Sequence, residues 1–142
     1  MKPESAAFME KSREFLVKAE GMRDNDWPDE AGRASYLAGL HAARALIFET
    51  SGEITKSHKR VQSEFGRLTR DDPRFDQELR AFLGRAYNLK VIADYETGPR
   101  SRVSGQSAGA AVRTAHRFVE CAANVLPANR RSPRKPDAPP EL

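Results

Sequence analysis

Four polar side chains, His41, Arg44, Lys90 and Asp94, sit inside otherwise apolar helical stretches. Burying such groups unpaired is costly, so they must pair with one another or line a cleft. His41 and Arg44 belong to SYLAGLHAARALIFE, Ser35 to Glu49, and Lys90 and Asp94 to AYNLKVIADYE, Ala86 to Glu96. Between these segments lies KSHKRV, Lys56 to Val61, which carries His58. An imidazole titrating near neutral pH beside two or three cations can hold a phosphate and move a proton. On this chemistry His58 and His41 are the catalytic candidates. Arg44, Lys90 and Arg102 are candidates for phosphate binding, and Asp94 and Tyr95 for orienting the site. The competing reading is an ion pair, Asp94 with Arg44 or Lys90, that fixes helix register.

Other chemistries lack their residues. A carboxylate-bridged di-iron bundle needs Glu-x-x-His on two helices, and no glutamate here has a histidine three residues on. His41, His58 and His116 lie far apart without a second ligand at helical spacing, so no metal or cofactor is expected. No glycine-rich phosphate loop of the Walker type occurs. The single cysteine, Cys121, reads as a small structural residue, and its solitude suits a reducing compartment. The expected location is the cytoplasm. With no apolar run near the roughly 20 residues needed to span a bilayer, no membrane association is expected.

The elements that must position these residues are helical. The chain has 142 residues, 39% apolar and 31% charged, enough for one domain with its own core. Its formal charge is +4, half of it from the last sixteen residues. There Arg130, Arg131, Arg134 and Lys135 stand among five of the nine prolines. Residues 127–142 therefore read as a disordered basic tail, and 4–126 as the folded unit.

Within that unit five helices are expected, at about Ser5 to Arg23, Pro28 to Thr50, Ser57 to Thr69, Pro73 to Glu96 and Ser107 to Leu126. Pro28 suits a first helical turn, and Gly52 is placed to end the second helix. That helix is apolar or small on nearly every face, as a central stave should be. Phe75, Leu79, Phe82, Ala86, Leu89 and Ala93 recur at four and three, a core stripe. The fold class is all-α, an up-down antiparallel bundle of about five helices. In that connectivity the third helix runs away from the end of the second and the fourth returns to it. Arg44, His58, Lys90, Asp94, Tyr95, Arg100 and Arg102 would then meet at one pole, with His41 some two turns deeper. Trp27 would staple the turn before Pro28.

The HAARAL-type second helix, the SHK turn and the later ADY resemble the HEPN domain, over about Phe15 to Leu126. The resemblance implies a small α-helical bundle that commonly dimerises. It also implies a place among metal-independent ribonucleases of toxin–antitoxin and other prokaryotic defence systems, often paired with a nucleotidyltransferase. Catalytic members carry Arg-x4–6-His on a late helix. Here the nearest pairs are Arg33 to His41, eight on, and Arg113 to His116, three on. Lys90 and Asp94-Tyr95 stand where the motif would fall. Two functions follow: an RNA- or nucleotide-engaging protein whose proton carrier is His58 or His41, or an inactive interaction module that binds a protein partner.

Overall fold

The computed structural model describes residues 1–95 and 102–127. The segment 96–101, with Arg100, and the basic segment from residue 128 onward lie outside the described residues. Among these, all regular structure is helical: α1 (Pro3–Asp24), α2 (Pro28–Ser51), α3 (His58–Thr69), α4 (Gln77–Tyr95) and α5 (Gly105–Val125).

Local chemistry sets the boundaries. Proline opens α1 and α2, where its missing N–H costs nothing, and Glu4, Asp29 and Glu30 complement the positive end of the helix dipole. Gly52 ends α2 at φ 74°, its N–H returning to the Phe48 carbonyl. Ser57 and Ser104 cap α3 and α5 by accepting from the amides of Arg60 and Ser107. The start of α4 differs from the expectation at Pro73. Asp72 folds Pro73, Arg74 and Phe75 into a turn by accepting from the Arg74 amide, and Asp76 then caps the helix through the Leu79 amide.

Small residues let α1 lie close on α2. Ser5, Ser12 and Ala19, seven apart on α1, are fully buried, and the Ser12 hydroxyl donates to the Ala38 carbonyl at 2.7 Å. At the far side of α2, a Cβ on Gly39 would come within 2.5 Å of the Phe82 ring, so the backbone of α2 approaches α4 there as only glycine permits. The lower core gathers Phe65, Phe75, Phe82 and Phe118 from α3, the following turn, α4 and α5. A second cluster, Ala19, Ala31, Ala34, Val103, Ala108 and Val112, closes the opposite pole.

These contacts fix the directions. Lys2 N–H donates to Glu49, and Ser12 meets Ala38, so α1 is antiparallel to α2. Arg33 meets Asp94, Tyr36 meets Tyr87 and Gly39 meets Phe82, so α4 is also antiparallel to α2. The four long helices form the up-down antiparallel bundle. The path between α2 and α4 corrects the sequence expectation. His58 lies against Tyr36, fifteen residues before the end of α2, or roughly 22 Å of helix. The loop 52–57 therefore makes the return stroke along α2. Then α3 descends again, with His58 beside Tyr87 and Gln62 beside Gly84. As a result α4 ends at the N-terminal pole of α2, and the single apex expected for Arg44, Lys90 and Asp94 does not form.

Candidate functional site

The polar residues occupy three successive stations along one face of α2. At the N-terminal end, Arg33 Nε donates to Asp94 Oδ1 at 2.6 Å, and Lys90 Nζ meets Asp94 Oδ2 at 2.7 Å. One carboxylate thus serves two cations. The hydrogen bond from Lys90 and the one from Arg33 hold the Asp94 carboxyl below its ordinary range. Lys90, whose ammonium also stands over the Tyr95 ring at 5.5 Å, is raised by its bond to Asp94. Tyr95 is otherwise 70% exposed. Of the two pairings the sequence left open for Asp94, Lys90 is the partner; Arg44 is not.

The C-terminal station is Arg44, about 16 Å from Arg33 along the helix. Its Nε donates to the Thr55 carbonyl at 2.9 Å and its Nη2 to the Lys56 carbonyl at 3.0 Å. The guanidinium therefore straps the returning loop to α2, rather than standing open to a phosphate.

Between these stations lies an aromatic cluster from three helices. The Tyr36 hydroxyl is 2.9 Å from His58 Nδ1, and the His58 ring stacks on Tyr87 with centroids 3.7 Å apart and planes 10° from parallel. Tyr36 meets Tyr87 edge-on at 5.5 Å. Burial lowers His58 from the usual imidazole value, against a hydrogen bond to Gln62. The neutral ring is the form present near pH 7. His58 is half-buried at the first position of α3, with Lys56, Lys59 and Arg60 exposed around it. Neither Tyr36 nor Tyr87, nor the partner Arg33, was legible as a site residue. The one available signal was Tyr36 within the apolar second helix; Tyr87 stands one residue off the core stripe of α4.

His41 is not part of this face. It turns toward α1, where its ring lies parallel to Phe15 at 5.6 Å and stacks at 22° to Phe8 at 6.2 Å. Its Nδ1 is buried with no partner among the described residues. Burial and then the charges of Arg44 and Lys11 push its pKa down to about 4. Five residues from Tyr36, it is turned roughly 140° around the helix and cannot join His58. Arg102 is also elsewhere. It lines a groove of about 220 Å³ at the α1–α2 turn with Asp26, Asp29 and Glu30, whose carboxylates oppose an anion there. Trp27, in the same groove, is 57% exposed and does not staple the turn. Cys121 donates to the Arg74 carbonyl and is raised by burial, which keeps it a thiol. Among the described residues no group of three histidine, cysteine or acidic side chains is placed to hold a metal ion.

The model of the HEPN domain matches residues 5–126, the whole bundle that carries this cluster. The chain belongs to the HEPN family. A UPF0332 protein of Gloeobacter violaceus is similar to it, 29% identical over 126 residues that cover 89% of this chain and 98% of the relative. HEPN domains are generally RNA-related and commonly dimerise. Among the described residues of this HEPN chain, no helix is long and apolar enough to cross a membrane. Lys90 and Asp94 are spent on an ion pair within α4, and no arginine of the chain has a histidine five to seven residues on.

Proposed function

We propose that this HEPN protein engages RNA and cleaves it without a metal ion, with His58 as the proton-moving group. The observation that carries the reading is the anchoring of His58. It is the imidazole that is both held in place, by Tyr36 and Tyr87, and reachable from solvent. Lys56, Lys59 and Arg60 supply positive charge around it to draw in a phosphate chain. In such a cleavage the RNA 2′-hydroxyl attacks the adjacent phosphorus, the 5′-oxygen departs, and an imidazole exchanges the proton. Residues 4–126 are the working unit, and the tail 127–142 adds weak, salt-dependent contact. The setting is a prokaryotic toxin–antitoxin or defence system in the cytoplasm, with the protein as a homodimer.

The test is incubation of the purified protein with single-stranded RNA in EDTA. Cleavage is expected to persist in EDTA and to disappear in His58→Ala while the circular dichroism of the bundle is unchanged. Cleavage abolished by EDTA, or undiminished in His58→Ala, overturns the reading.

One observation favours a second reading. Arg44 and Lys90 both have partners, so two of the three cations expected to clamp a phosphate already serve structure. On that reading the chain is an inactive dimeric module for a protein partner such as a nucleotidyltransferase. It predicts no RNA cleavage, and a stable complex with a nucleotidyltransferase encoded beside it.

A further inference from the structure

Tyr36 is 2% exposed, and its hydroxyl ends 2.9 Å from His58 Nδ1. A phenol carries one proton, and a buried one requires an acceptor. Among the described residues, Nδ1 is the partner of that hydroxyl. If Nδ1–H were the donor, the phenol proton would be stranded inside the bundle at the full cost of its desolvation. The direction of the bond follows: Tyr36 donates, Nδ1 accepts, and the neutral ring keeps its proton on Nε2. Burial lifts Tyr36 to about 12, which keeps it a donor across the working range of the protein. Tyr87, stacked on the imidazole, sets the plane in which Nε2 lies. Gln62, one turn along α3, takes the ring's remaining N–H in a hydrogen bond that favours the charged ring, so a docking anion displaces its amide oxygen; Arg44 straps the loop two residues before His58.

We infer that Tyr36 is a positioning residue: from inside the core it holds His58 as the Nε2–H tautomer, presenting a donor rather than a basic nitrogen to what docks at the start of α3. The inference deepens the ribonuclease reading and rests on it. It names the matching chemistry as an anionic oxygen, the phosphodiester of RNA. In this form His58 donates a hydrogen bond from Nε2–H to a phosphate oxygen. It gives a proton to the departing 5′-oxygen only after the ring has taken a second proton from solvent on Nδ1, because the neutral ring would otherwise be left as an imidazolate. Nδ1 does not accept the 2′-hydroxyl proton while the Tyr36 bond lasts. That proton passes to solvent water or to a group of a second copy.

Long-range proton–nitrogen NMR on the full chain, labelled at histidine, tests this directly. At pH 7 His58 is expected to show a protonated Nε2 and an unprotonated Nδ1. Tyr36→Phe keeps the ring and removes the hydroxyl. It should yield a mixture of tautomers, raise the His58 pKa by about one unit and lower RNA cleavage roughly tenfold. A wild-type ring protonated on Nδ1, or a Tyr36→Phe spectrum identical to wild type, overturns the inference. If Tyr36→Phe fails to fold, the wild-type tautomer decides alone. A fixed Nε2–H tautomer together with cleavage that His58→Ala leaves intact overturns the ribonuclease reading instead, so the two failures are separable.

Discussion

Arg33 and Asp94 lie sixty-one residues apart in sequence and meet at 2.6 Å, tying the first turns of α2 to the last turns of α4. The same carboxylate takes Lys90, so its loss leaves two cations facing each other. Asp94→Asn should lower stability by about 1 kcal/mol, the upper range for an accessible pair. The Asp94 pKa is depressed in the folded state, so its contribution is present above the ordinary carboxylate value and fades as pH falls through the folded one. Urea melts at pH 7 and at pH 3 should therefore separate wild type from Asp94→Asn more widely at the higher pH than at the lower. Equal separation at both would remove the ion pair as the cause.

Arg44 contributes through the loop it straps. Arg44→Met keeps much of the stem but abandons the carbonyls of Thr55 and Lys56, and Thr55 is buried. A cost of about 1–3 kcal/mol follows from those unsatisfied acceptors. Amide exchange over 53–57 should accelerate more than exchange in α5. Arg44→Lys should rescue little, because a single ammonium lacks the planar fork that reaches both carbonyls. Uniform acceleration across the bundle would show that Arg44 acts on the whole core instead.

The parallel rings of Phe15 and His41 make an acid-sensitive point away from the candidate site. His41 titrates near 4 in the folded chain and near the ordinary 6.5 once unfolded. Below 6.5 the unfolded state takes the proton first, so stability falls from there down to about pH 4. His41→Leu should flatten this slope between pH 6.5 and 4. A shallower slope remains from His58, which is shifted in the same direction. Denaturation midpoints across that range, compared between wild type and variant, give the measurement; parallel curves would clear His41.

The all-α class and the five helices were legible because their signals are local. Pro28 at the start of α2, Gly52 at its end and the four-three stripe of α4 each act within a turn or two of chain. The misplaced start of α4 has the same origin: Pro73 suits a helix opening and a tight turn equally, and Asp76 supplies the better cap. The resemblance in the second helix was also contained in the residues themselves, and the family match over 5–126 agrees with it.

The site was decided by the path of six residues. Nothing in the pattern of 52–57 says whether that loop turns at the pole or climbs back along α2, because its direction is set by the distant Arg44 holding its carbonyls. Once it climbs, α3 descends in place of returning, α4 ends at the opposite pole, and Arg44 parts from Lys90 and Asp94. The same shift brings His58 to Tyr36 and Tyr87. Periodicity reports which side of a helix faces inward; which inward residues meet depends on contacts between elements far apart in the chain, and these form only when the helices assemble.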